Sequence, residues 1–164
     1  MKNFETIRKM QAELDKYILI NHELAEVDTY ERRVIALLVE LGELANETRC
    51  FKYWSTKLPS EREIILEEYV DGIHFLVSLG NTLRVELNED MFKRHIKDID
   101  INKQFIALFS GIASLSTNIK VDHYNEVFNN YINLGYSLGF DLDEIYQGYI
   151  EKNKVNYERQ ESNY

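Results

Sequence analysis

Residues 30–49 read YERRVIALLVELGELANETR, and this stretch decides the fold class. Its apolar side chains recur every three or four positions, which is the spacing of one face of an α-helix. They are Tyr30, Val34, Leu37, Leu38, Leu41, Leu44 and Ala45. We predict a helix that begins after an N-cap at Asp28 or Thr29 and ends near Arg49. The same periodicity continues through nearly the whole chain, which has one proline. These features predict an all-α bundle of about five to seven helices.

The same periodicity predicts helices on both sides of this stretch. A first amphipathic helix includes Ile7 to Ile18. After a connector, Pro59 and Ser60 open a third helix, and Ser60 has capping-box spacing to Glu63. The apolar positions of this third helix cover much of its circumference, so we expect it to lie at the centre of the bundle.

The rest of the chain divides at caps and glycines into further short helices. The predicted segments are Asn88 to Ile99, a helix from a cap at Asp100 or Asn102 to about Thr117, one from Asp122 to about Gly139, and one opened by an Asp141–Glu144 capping box and ending near Lys154. With 164 residues and no linker, residues 1–164 are predicted to form one domain. Residues 152–164 are predicted to form a polar tail within it that closes over a substrate.

Composition excludes several classes of protein. The 19 basic and 28 acidic residues give a net charge of −9, which argues against a nucleic-acid-binding surface. The single cysteine, Cys50, cannot form an internal disulfide or a cysteine-based zinc site, and a reducing cytoplasm is the simplest compartment. No segment approaches the roughly 20 apolar residues of a membrane span.

Two pairs of carboxylates suggest the chemistry. Glu40 and Glu43 are three residues apart in the second predicted helix, and Glu68 and Asp71 are three apart in the third. Residues at this spacing share a helix face, so facing helices would bring four carboxylates together. Such a cluster needs a cation when it is removed from water, and hard divalent metals such as Mg²⁺ are its natural partners. The pattern therefore favours a metal-dependent enzyme that acts on phosphates.

Each pair taken alone also fits ordinary surface acids. A functional role is favoured because apolar residues flank both pairs and a glycine accompanies each of them. Gly42 accompanies the Glu40–Glu43 pair, and Gly72 accompanies the Glu68–Asp71 pair. Glu47 shares the face of Glu40 and Glu43 and is a further candidate ligand, whereas Glu67 reads as a solvated neighbour. Two metal ions held in this way could activate a water molecule and neutralise phosphate oxygens.

Two further segments carry candidate substrate contacts. In the connector, Lys52 lies between aromatic residues, and Trp54 is the only tryptophan. Either Lys52 contacts phosphate and Trp54 contacts a nucleobase, or Trp54 and Phe51 plug the end of the bundle while Lys52 extends its ammonium group to solvent. The tail places Asn153 and Asn156 on one face among cationic residues, which suits sugar and phosphate oxygens, but a fraying polar terminus has the same composition.

These segments together resemble the dimeric all-α dUTP pyrophosphatases, a branch of the all-α NTP pyrophosphatase superfamily that includes MazG-like proteins. The matching segments are residues 10–15, 40–47, 51–54 and 67–75, with Lys152-Asn153, Asn156 and Arg159-Gln160 in the tail. The resemblance implies a homodimer that hydrolyses dUTP, and dUDP as well, to dUMP with two or more Mg²⁺ ions.

The resemblance also implies residue roles. The metals would be held by Glu40, Glu43, Glu68 and Asp71, with Glu40 orienting or deprotonating the water that attacks the α-phosphorus. Gln11 would read the uracil edge, with Asp15 in the region where some relatives carry asparagine, and Trp54 would help form the base pocket. Phosphates would be bound by Lys52, Lys152 and Arg159, and the deoxyribose region by Asn153 and Asn156.

Two other functions remain open from the sequence. One is a broader nucleotide pyrophosphatase that acts on dCTP or damaged nucleotides. The other is a helical protein-binding module with a vestigial metal site, since the 11 tyrosines suit a protein interface. A regulatory protein partner would fit a phage-encoded enzyme in particular.

Overall fold

The computed structural model describes residues 4–24, 28–95 and 100–162. Within these ranges the chain is helical and contains no strand, so the predicted all-α class is confirmed. The helices are α1 (Phe4–Asn21), α2 (Tyr30–Thr48), α3 (Arg62–Thr82), α4 (Ile101–Ser114), α5 (Val121–Ser137) and α6 (Leu142–Glu161), with a short 3-10 helix at Glu89–Phe92. None of the described helices is both long enough and apolar enough to span a bilayer.

Helix α3 lies at the centre of the bundle, as its apolar pattern predicts. It packs against α1, α2, α5 and α6. Its buried side chains include Ile73, Leu76, Val77 and Leu79, which point to more than one face of the helix. Since these side chains are covered within one chain, they provide no separate argument for a dimer.

Tyrosine–glycine contacts hold α3 against α5. The Tyr131 hydroxyl donates to the Tyr69 carbonyl at 2.9 Å, and the Tyr69 hydroxyl donates to the Tyr131 carbonyl at 3.2 Å. Each ring fits where the opposite helix has a glycine, Gly72 for Tyr131 and Gly135 for Tyr69. The two phenols are fully buried, and each is paired with a backbone carbonyl, so their burial leaves no polar group unsatisfied.

Replacing Gly72 with alanine should therefore destabilise the fold. The added Cβ would lie 1.9 Å from the Tyr131 hydroxyl, and displacing that ring costs about 2 kcal/mol by overpacking and loss of its hydrogen bond. At Gly42 nothing lies within 4 Å of an added Cβ, so Gly42→Ala should be neutral or stabilise by up to about 1 kcal/mol. Urea unfolding of both variants checks this, and equal losses in the two would contradict the packing.

The helix ends agree with the sequence prediction at some sites and differ at others. The Asp141–Glu144 capping box is present, with bonds of 2.9 Å in both directions. Gly139 follows α5 with φ +89, as expected of a C-terminal glycine. Helix α6, however, continues to Glu161 rather than ending near Lys154, so most of the predicted polar tail is helical.

The capping box predicted at Ser60 and Glu63 is wrong. Helix α3 begins at Arg62 after Glu61, which makes no side-chain cap. The Ser60 hydroxyl instead donates to the Glu47 carboxylate, and the Ser60 N–H donates to the Glu47 carbonyl at 3.0 Å. A tertiary contact to the end of α2 has thus replaced the local cap. The predicted segment at Asn88 to Ile99 contains only the 3-10 helix, and residues 96–99 lie outside the described ranges.

Candidate active site

Three of the four predicted carboxylates meet at one point. Glu40 on α2 and Glu68 and Asp71 on α3 each offer an oxygen, and these oxygens all lie within 4.8 Å of one another. All three residues are half-buried. The helices that carry them run antiparallel, so one i, i+3 pair on α3 faces Glu40 on α2.

The electrostatics of this group are those of crowded, partly desolvated acids. Burial, followed by repulsion from Asp71, Glu43 and Glu68, raises the pKa of Glu40 to about 7. Burial and the neighbouring acids also raise the pKa of Glu68. For Asp71, burial raises the pKa despite the opposing effect of Lys152. The cluster therefore holds more negative charge than its surroundings stabilise, which is the condition that a bound divalent cation relieves.

The fourth predicted ligand, Glu43, lies at the edge of the cluster. Its side chain is exposed, and it is absent from the closest group of oxygens among the described residues. It still lies close enough to Glu40 to help raise the pKa of that residue. Glu47, the further candidate, is instead occupied by Ser60.

Lys152 on α6 provides a positive charge beside the cluster. Its ammonium group lies 2.8 Å from Asp71 Oδ2 and 2.9 Å from Glu67 Oε1, and the lysine side chain is only 8% exposed. These bonds raise the pKa of Lys152 against the effect of burial. Glu67, read from the sequence as a solvated neighbour, is exposed but anchors this lysine.

A cavity of about 810 Å³ extends from the cluster. Helices α1, α2, α3 and α6 contribute to its wall, and apolar residues such as Ile18, Leu19 and Phe75 line part of it. The predicted site residues that line it are Gln11, Asp15, Glu40, Asp71, Asn156 and Arg159. Six residues from four separate predicted segments thus border one space.

Buried hydrogen bonds fix the α1 side of the cavity. Gln11 is 4% exposed, and its Oε1 accepts from the Tyr149 hydroxyl and from His74 Nδ1, both at 2.8 Å. Its Nε2 donates to Asp15 Oδ1 at 2.8 Å. Burial lowers the pKa of His74 to about 3, so the ring is neutral and stacks on Tyr149 with centroids 4.1 Å apart.

Four of the predicted substrate contacts are not part of the cavity wall: Lys152 and Asn153 on α6, and Lys52 and Trp54 on the connector. Trp54 is 65% exposed and packs edge-on against Tyr53 and Phe51, so it does not plug the bundle. Lys52 hydrogen-bonds Asn46 and lies over the Phe51 ring. Neither residue borders the cavity, and a role in substrate binding therefore requires movement of the connector or a second copy of the chain.

Asn153, one of the predicted contacts in the tail, is buried, and its Nδ2 has no hydrogen-bond partner within the described ranges. The structure also shows two residues at the cavity that the sequence patterns missed. Arg33 and Ser78 border the cavity. Each lies two helical turns from an acid of the cluster, on the same face of its helix, but neither carries a motif of its own. Arg33 is seven residues from Glu40, and Ser78 is seven residues from Asp71. A search for polar residues on the same helix face as the acids could therefore have found both.

The raised pKa of Glu40 predicts a pH effect on metal-free stability. Between its ordinary pKa of 4.5 and about 7, the folded protein binds more protons at Glu40 than the unfolded chain, so this residue costs stability as the pH rises. His74 has the opposite effect. Because its pKa is lowered, this residue costs stability as the pH falls below 6.5, the ordinary pKa of histidine. Comparing Glu40→Gln with the wild type cancels the histidine contribution. In EDTA, the variant should gain melting temperature relative to the wild type as pH rises from about 5 to about 8. A difference independent of pH would contradict the assignment.

Comparison with known proteins identifies the family. A search of curated proteins found no match. The model of the dUTPase family matches residues 3–164, which is nearly the whole chain. This match agrees with the all-helical fold and with a carboxylate cluster at the mouth of a cavity large enough for a nucleotide. The chain therefore belongs to the dUTPase family and is a dUTP diphosphatase.

Proposed function

We propose that this dUTP diphosphatase also hydrolyses dUDP, and that the reaction requires Mg²⁺ and takes place at the Glu40–Glu68–Asp71 cluster. The observation that carries this proposal is the convergence of three half-buried carboxylates at a cavity bordered by Gln11, Asp15 and Arg159. The donor set is all oxygen, which fits Mg²⁺. Two or more ions held by these residues and Glu43 would neutralise phosphate charge and lower the pKa of a bound water.

The residues of the chain then have distinct tasks in the reaction. Glu40, at the centre of the cluster, orients the attacking water and accepts its proton. The water oxygen bonds to the α-phosphorus, and the bond from that phosphorus to the α–β bridging oxygen breaks. The products are dUMP and a leaving group, which is pyrophosphate from dUTP and phosphate from dUDP. Lys152 and Arg159 bind phosphate oxygens, while Asn153 and Asn156 contact the deoxyribose region. Lys52 and Trp54 act on phosphate and base when the connector or a second copy brings them to the site.

A panel of nucleotides tests this proposal. Pyrophosphate release should be fastest with dUTP, should require Mg²⁺ and should stop in EDTA. Equal rates with dUTP and dCTP would favour a broader pyrophosphatase. Absence of hydrolysis together with tight binding of a protein would favour the binding module.

We further propose that the functional unit is a homodimer. Ile35 and Val39 lie one turn apart on α2 and are 61% and 51% exposed, so they form an apolar face beside the Glu43 side of the cluster. A second copy covering this face would bury it and bring another connector near the site. Sedimentation should give a dimer for the wild type and a monomer for Ile35→Lys/Val39→Lys, while the exposed α4 variant Ile106→Lys should remain dimeric. A monomeric wild type would contradict this proposal.

A further inference from the structure

The cavity has two polar levels along the antiparallel helices α2 and α3. Glu40 and Asp71 form the first level. Seven residues away on each helix, Arg33 and Ser78 form the second. Seven residues are two helical turns, or about 10.5 Å, a separation comparable with that between the α-phosphate and the far edge of the base in an extended nucleotide. A substrate anchored at the first level would thus present its base to the second.

Arg33 is connected to Asp15 through Ser78. Arg33 Nη1 donates to the Ser78 hydroxyl at 3.0 Å and to the Ser78 carbonyl at 3.1 Å. The hydroxyl in turn donates its single proton to Asp15 Oδ2 at 2.6 Å. The direction of the chain is therefore fixed from guanidinium to hydroxyl to carboxylate, and Asp15 is an acceptor in it.

Gln11 has an equally fixed orientation on the other side of Asp15. Because its Oε1 accepts from Tyr149 and from the neutral His74 ring, its Nε2 must face Asp15. That bond uses one of the two amide protons. On the other flank, Arg33 Nη2 has no protein partner within residues 4–24, 28–95 and 100–162.

The polar groups at this level thus form a donor–acceptor–donor set: a proton of Gln11 Nε2, the Asp15 carboxylate and Arg33 Nη2. Uracil presents the complement, because its O2 and O4 accept and its N3–H donates. Cytosine presents two acceptors and a donor amine, so its N3 lone pair would face the carboxylate and its amine would face the guanidinium. Sites that hydrogen-bond a substrate strongly reject analogues that leave their polar groups unpaired.

Resting on the function proposed above, we propose that Arg33 is a specificity-determining residue, which with Asp15 and Gln11 reads the edge of uracil and excludes cytosine. Ser78 is the positioning residue that holds Arg33 and Asp15 together. The 5-methyl group of thymine lies away from this edge, so Arg33 should treat uracil and thymine alike.

Substitution of Arg33 by methionine tests this inference, with Arg32→Met as the matched control because Arg32 is its exposed neighbour. The kcat/KM values of dUTP, dCTP and dTTP are compared at saturating Mg²⁺. Arg33→Met should lower the dUTP/dCTP ratio by at least about tenfold and leave the dUTP/dTTP ratio unchanged. Arg32→Met should alter neither ratio. Equal losses with all three substrates would overturn the inference and show a purely structural role.

A second variant and a second measurement keep the test independent of folding and of catalysis. Ser78→Ala breaks the link with little change in volume and should shift the same ratio in the same direction. Calorimetric titration with dUMP and dCMP in EDTA measures base preference without hydrolysis. If the wild type fails to hydrolyse dUTP, the proposed function fails. If it hydrolyses dUTP but both variants keep the wild-type preference in kinetics and titration, only the role of Arg33 is overturned.

Discussion

Glu40→Gln should lower kcat/KM for dUTP by about a thousandfold, which lies within the range for loss of a general base. The substitution keeps the shape of the side chain but removes its negative charge and its ability to accept a proton. It should also raise the melting temperature of the metal-free protein at neutral pH, because one member of a mutually repelling group disappears. Loss of activity with gain of stability distinguishes a functional carboxylate from a structural one.

Glu31→Gln is the control for this substitution. Glu31 is an exposed residue in the first turn of the same helix, nine residues before Glu40. It should retain wild-type kcat/KM and change the melting temperature little. A Glu40→Gln variant that hydrolyses dUTP at the wild-type rate would remove Glu40 from the mechanism.

Lys152→Met should destabilise the metal-free protein and impair catalysis together. The buried ammonium group bridges Asp71 and Glu67, and its removal leaves Asp71 unpaired beside two other acids. Breaking a buried ion pair costs about 3–5 kcal/mol, and the exposure of Glu67 places this case near about 3 kcal/mol. For a chain of this size, that lowers the melting temperature by about 6–12 °C.

Mg²⁺ should restore much of this lost stability, because a bound divalent cation supplies the positive charge that Lys152 provided. The rise in melting temperature on adding Mg²⁺ should therefore be larger in Lys152→Met than in the wild type. With dUTP, loss of a phosphate contact should lower kcat/KM by about a hundredfold. Lys154→Met, two residues along and exposed, is the control. A smaller Mg²⁺ response in Lys152→Met than in the wild type would contradict the role of Lys152 as a counter-charge.

The all-α fold and the placement of paired carboxylates on single helix faces were predictable from local sequence. Helical periodicity identified the buried face of α2, and i, i+3 spacing placed Glu68 and Asp71 on one side of α3. Both rest on helix geometry, which is the same in every helix. The Asp141–Glu144 capping box was predictable for the same reason, since all of its partners lie within one turn.

Features that depend on long-range contacts were not predictable. Ser60 has the spacing of a cap but binds Glu47 on another helix, and local pattern alone does not separate these outcomes. The length of α6 was underestimated because its polar last turns are held by long-range contacts, with Tyr157 packed against Tyr17 and Gln160 hydrogen-bonded to His22. Arg33 and Ser78 were missed because their significance arises only when α1, α2 and α3 pack together around the cavity.

The most direct test of the central assignment is anomalous diffraction from crystals soaked with Mn²⁺ and a non-hydrolysable α,β-imido analogue of dUTP. Mn²⁺ substitutes for Mg²⁺ at oxygen-rich sites and is visible by its anomalous signal. The predicted result is at least one Mn²⁺ peak within about 2.5 Å of oxygens from Glu40, Glu68 and Asp71, with the α-phosphate beside it. Mn²⁺ and analogue bound together away from these three carboxylates would contradict the assignment.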